Sequence, residues 1–175
     1  MLERWMNAKT EEGKVLGFLQ NFFLLIAAFG FFFYGVEHWV IDHYMESFWA
    51  RWPFYVSMIG VPLAVAMFFT THKAVRLPFT IWMGVSVLTG FAGALLHLIW
   101  NANDLGVSLF TISGILESFQ VPYRPVLAGL AHTHVGAVGL VVGLTAAVKE
   151  SSSSSAPPHT APRDTAVTRT ERNAP

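Results

Sequence analysis

Four stretches of the chain are nearly free of charge, and each is long enough to carry an α-helix across the roughly 30 Å hydrocarbon core of a bilayer. They run over residues 15–36, 53–71, 78–99 and 126–148. With four such runs in 175 residues, the expected fold is all-α, an integral membrane four-helix bundle over 15–149. Hydrophobic residues make up 53% of the sequence and charged residues 13%. That balance leaves too few polar side chains to coat a water-soluble surface.

The first run follows a leader, residues 1–14, that contains Glu3, Glu11 and Glu12. The run is longer than the apolar core of a signal peptide, and Glu37 and His38 stand where a small-residue cleavage pattern would be, so a retained span is expected. Pro53, Pro78 and Pro125 mark expected helix starts, where a missing N–H costs nothing. Pro62 falls inside the second run and predicts a kink. From residue 150 the chain turns to Ser, Pro, Thr and Arg, which reads as a disordered tail to residue 175.

Orientation follows from lysine and arginine in the short flanks. Arg4, Lys9 and Lys14 precede span one, Lys73 and Arg76 lie between spans two and three, and Lys149 follows span four. The other two loops hold a single arginine each, Arg51 and Arg124. Both termini are therefore expected to be cytoplasmic and the loops between spans one and two and spans three and four external. Trp39, Trp49, Trp52 and Trp100 gather at the external ends, as an interfacial aromatic belt requires. Residues 100–125, with the apolar piece Val107–Phe110 and a short helix expected through Glu117, read as a segment lying on the membrane surface.

Several functions are excluded. Net charge is zero and no basic stripe interleaves with aromatics, so nucleic acid is not an expected partner. Cysteine is absent, which removes thiolate metal sites, Fe–S clusters and a cysteine nucleophile. HExxH, GxSxG and phosphate-cradling glycine loops do not occur. The expected partners are the lipid bilayer and, beyond it, a homo-oligomer or larger membrane complex. The likeness is to small multi-pass proteins of the bacterial inner membrane in general.

Titratable residues supply the functional signal. Helix contacts in membranes favour small residues because backbones approach closely there, so small-residue stripes mark inward faces. Gly129, His132, Gly136, Gly139 and Gly143 form one stripe in span four. Ser86, Gly90, Gly93, His97 and Asn101 form another in span three, and Asn21, Ala28, Phe31, Gly35, His38 and Asp42 a third in span one. Span two offers Ser57, Gly60 and Ala64. At 1.5 Å per residue from the cytoplasmic basic residues, His38, His97 and His132 lie roughly 36, 32 and 26 Å up, in the outer half of the membrane.

Ionisable side chains inside spans face a partner or a polar cavity. Three imidazoles and a carboxylate drawn from different bundle helices suit a transition metal, Zn, Cu or Fe. His38, His97 and His132 are the expected ligands, with Asp42 as the fourth or as the carboxylate that fixes an imidazole tautomer. Glu37 is the expected acid/base. His43, Glu46 and His72 read as interfacial, His134 as bonded to a backbone carbonyl, and His159 as part of the tail. A structural hydrogen-bond pair between His97 and His132 is the plain alternative. A four-span electron-transfer subunit holding one haem b between imidazoles is another. A third is a cofactor-free proton or small-molecule passage, or an accessory subunit.

The charge bias makes a direct prediction. Reporter fusions at Asn103 and at the C-terminus should report external and cytoplasmic locations respectively, and an external C-terminus would invert the whole arrangement.

Overall fold

The computed structural model describes residues 1–42, 45, 47–122 and 125–154, with residues 3, 4 and 147–154 described by backbone alone. His43, Glu46, Arg124 and the tail from residue 155 lie outside the described residues. Among those described there is no strand. The elements are α1 (Leu2–Met6), α2 (Glu11–Val40), α3 (Phe48–Phe69), α4 (Lys73–Leu105), α5 (Ile112–Phe119), α6 (Val126–Gly129) and α7 (Ala131–Ser154).

Four helical stretches are long and apolar enough to cross a membrane: α2, α3, α4, and α6 with α7 over Val126–Ala146. α6 starts at Val126, directly after Pro125, but α3 and α4 begin earlier than their prolines suggest, because polar residues upstream supply caps. The Ser47 hydroxyl accepts the Ala50 N–H at 3.1 Å, and His72 Nδ1 accepts the Ala74 N–H at 3.3 Å. Pro53 and Pro78 consequently sit one turn inside α3 and α4, where each removes a single intrahelical hydrogen bond. α3 runs on through Pro62 to Phe69. The leader also folds: Trp5 of α1 packs against Gly17, and the Met1 amino group donates to the Phe68 carbonyl at 2.9 Å. At the other terminus α7 continues to Ser154, into the stretch expected as tail.

The long helices form an antiparallel ring in which α2 packs on α3, α3 on α4, α4 on α7 and α7 on α2. Leu24, Phe31, Val56, Met67, Phe79, Met83 and Val142 are fully buried at its centre. The polar residues Ser57, Ser86, Asn21 and Asn101 are buried with them, while Phe22, Phe29, Phe33, Leu88, Phe91 and Leu144 point outward. Polar side chains inside beside the apolar core, with many large apolar residues outside, is a distribution that lipid, not water, stabilises.

The glycine stripes are used as read. Gly129, Gly136, Gly139 and Gly143 bring α6 and α7 against Ala94, Ser86, Met83 and Thr80 of α4. Gly60 of α3 gives room to the Phe31 ring of α2. Side-chain ties reinforce the α3–α4 contact, where the Trp52 indole donates to Thr89 Oγ1 at 2.9 Å and the Trp82 indole to the Val56 carbonyl at 3.0 Å.

A methyl group at Gly136 would lie 2.6 Å from the Met83 carbonyl oxygen, whereas one at Gly84 would meet nothing within 4 Å. Gly136→Ala should therefore destabilise the bundle by about 1–3 kcal/mol, and Gly84→Ala should not. Thermal unfolding of the two variants in detergent checks this.

Candidate functional site

His132 lies near the start of α7 and is 3% exposed. Its Nε2 stands 3.2 Å from the Pro53 carbonyl and 3.0 Å from the Ser57 hydroxyl of α3. A carbonyl oxygen only accepts, so Nε2 carries the proton and Nδ1 the lone pair. On the backbone side, the Ser86 hydroxyl of α4 donates to the His132 carbonyl at 2.9 Å. From α2, the Tyr34 ring stacks on the imidazole at 5.3 Å between centroids, and the half-buried His38 ring meets it edge to face at 5.9 Å.

His38 is fixed in the same manner. Its Nδ1–H donates to the Tyr34 carbonyl one turn earlier, at 2.8 Å, which fixes the orientation of the ring. Tyr34 thus acts twice, by its carbonyl on one histidine and by its ring on the other. The i, i+4 spacing of Tyr34 and His38 on α2 was the sequence signal for this contact, and Ser57 already stood on the small-residue face of its span.

The other expected residues lie apart from the pair. His97 is half-buried on α4, donates through Nδ1 to the Pro125 carbonyl at 3.1 Å, and has Trp100 beside it at 6.1 Å between centroids. It shares with Pro53 and Trp49 the lining of a small cleft of about 70 Å³. Asp42 is exposed and lies past the helix end, because α2 stops at Val40 and the chain turns there with Asp42 at φ +52°. Asp42 therefore does not continue the His38 face by a further helical turn. Glu37 is exposed on α2, one residue and about 100° from His38. Among the described residues, no three His, Asp or Glu side chains gather closely enough to hold one ion.

Of the remaining histidines, His43 and His159 lie outside the described residues. His134 Nδ1 donates to the Leu130 carbonyl at 2.9 Å, and His72 caps α4.

His38, His97 and His132 share one chemical property. Each has a ring N–H held by a backbone carbonyl, so each imidazole is fixed in orientation. That is how metal-binding histidines are usually held, and it serves equally well as a hydrogen-bonded tie between helices.

Removing the tie should be measurable. Ser57→Ala takes away one of two acceptors and should lower stability by about 0.5–1 kcal/mol. His132→Ala also opens a cavity and should lower it by about 2–4 kcal/mol. Denaturation of both variants in detergent gives the comparison. No protein-family model, curated protein or solved structure matches the chain, so its function has to be read from these residues alone.

Proposed function

We propose that the chain is a multi-pass membrane protein whose His38–His132 pair, at the end of the bundle expected to face outward, binds a transition metal ion. What supports this reading is the meeting of two imidazoles from different spans, each with one ring nitrogen pinned to a backbone carbonyl. Metal–nitrogen bonds of about 2 Å require two imidazoles on one ion to stand within several ångströms of each other. The pair here stands at 5.9 Å. Imidazole ligands favour Zn, Cu or Fe.

His38 and His132 would hold the ion, and His97 and Asp42 are the candidates to extend the ligand set. Any acid–base step falls to Glu37, the exposed carboxylate next to His38. The expected setting is a bacterial inner membrane with the His pair in the outer half.

One observation favours a second reading. The Nε2–H and the backbone carbonyl of His132 are both satisfied inside the bundle, as a purely structural tie would have them.

Metal analysis separates the two. Protein purified in detergent and reconstituted with Zn, Cu or Fe should hold about one ion per chain. His38→Ala should lose it, while His72→Ala, at the opposite end of α4, should keep it. Cu(II)-loaded protein should show nitrogen splitting from two imidazoles in its electron paramagnetic resonance spectrum. His97→Ala and Asp42→Ala report whether the ligand set extends to them. Equal metal content in wild type and His38→Ala would refute the metal reading and leave the tie. A Soret band would point to haem b instead.

A further inference from the structure

The segment that joins α4 to α6 carries an inference independent of the histidine pair. Gly106, at φ +67°, ends α4 in the left-handed region that suits glycine. The following residues are then closed by local bonds: the Thr111 hydroxyl donates to the Ser108 carbonyl at 2.9 Å and accepts the Gly114 N–H at 3.1 Å. α5 is thereby fixed in direction at its first turn. Its second turn is fixed to the bundle, where the buried Asn101 donates through Nδ2 to the Ser118 carbonyl at 2.9 Å. That bond sets α5 beside Trp100, level with the tryptophans of the upper end.

At 100° per residue the surface of α5 divides into three arcs. Gly114 and Ser118 form the arc that is buried against the protein. Ser113 and Glu117 form a second arc, exposed and polar. Ile112, Ile115, Leu116 and Phe119 form the third, facing away from Ser113 and Glu117. Ile112 is 78% exposed and Leu116 57%, and Phe110 just before the helix is completely exposed. The bundle takes the small residues and leaves the large apolar ones outside. In water that choice would forfeit the burial of three or four large side chains, each worth about 1.5–3 kcal/mol.

We propose that α5 lies in the boundary between lipid headgroups and acyl chains, with the Ile112–Leu116–Phe119 arc and Phe110 in lipid and the Ser113–Glu117 arc toward water. The occupant of the apolar arc is phospholipid. The apolar and polar arcs are centred roughly 130° apart, with the protein on the third side, so the helix can turn one face to lipid and another to water while it stays against the bundle. The bond from Asn101, the residue after Trp100, holds α5 at the tryptophan-bearing end of α4, where an interfacial helix meets phospholipid.

The chain lacks cysteine, so single cysteines can be placed in the full-length protein without removing any. Ile112→Cys, Ser113→Cys, Leu116→Cys and Glu117→Cys would be reconstituted into phosphatidylcholine vesicles, with size-exclusion profiles confirming the fold. A membrane-impermeant maleimide, loaded on both sides, should modify Ser113→Cys and Glu117→Cys at least about tenfold faster than Leu116→Cys and Ile112→Cys. An environment-sensitive fluorophore on Leu116→Cys should be quenched by lipids with a shallow nitroxide, and one on Glu117→Cys should not. Equal maleimide rates at Leu116 and Glu117 would overturn the proposal. So would protection of Leu116 without lipid quenching, which would assign the arc to a protein partner.

Discussion

Every long helix of this bundle meets at one residue. His132 belongs to α7, bonds α3 through Ser57 and Pro53, receives a hydrogen bond from Ser86 of α4, and packs against Tyr34 and His38 of α2. The contact to α3 matters most, because α3 and α7 face one another across the ring instead of packing side by side. In a medium that offers no water, a buried ring N–H has to find its acceptor within the protein. The acceptors exist only if α3 presents Pro53 and Ser57 at the right height, so the rotation and register of the helices are constrained together at this point. Glycines permit close approach, but they do not by themselves distinguish one register from another.

That division of labour explains what could be read from the sequence. The four apolar runs gave the number of helices, and the spacing of Gly129, Gly136, Gly139 and Gly143 gave the face that meets α4. The burial of His132, Ser57, Ser86 and Asn101 followed from their places on such stripes. Helix ends were less legible because they depend on caps. Ser47 and His72 extend α3 and α4 past the prolines that suggested boundaries. The candidate site was half legible. Two of the three expected histidines meet, and they do so through Tyr34, a residue whose carbonyl and ring faces no composition pattern announces. Asp42 was placed by assuming that α2 continues, whereas its left-handed backbone ends the regular spacing. His97 lay on the correct stripe, yet the stripe gives only a face. Which acceptor on that face it takes depends on where Pro125 enters, and that is a matter of tertiary structure.

The two halves of the molecule differ in how they use polar groups. Toward the middle, serines, threonines and asparagines make short ties between or within helices, such as Gln20 to Thr145 at 2.9 Å and Asn21 to the Gly17 carbonyl at 2.9 Å. At the upper end, aromatic rings and imidazoles take over, with tryptophan indoles and histidines bonding carbonyls and hydroxyls across helix boundaries. Larger rings reach farther, so the helices there can stand apart enough to leave the cleft beside His97. Along the α4–α7 seam, by contrast, Gly136, Gly139 and Gly143 lie directly against Met83, Ser86 and Thr80.

The unequal lengths of α3 and α4 have a consequence for the surrounding membrane. α3 has 22 residues and α4 has 33, or about 33 Å and 50 Å at 1.5 Å per residue. Only the shorter of these matches a hydrocarbon thickness near 30 Å. The extra length of α4 is not apolar, because its uncharged run over residues 78–99 is no longer than α3 and its two ends carry Lys73 and Arg76 on one side and Asn101, Asn103 and Asp104 on the other. Lipids beside either helix therefore meet an apolar wall of similar height, and the added turns of α4 stand as rigid polar posts at the two membrane boundaries.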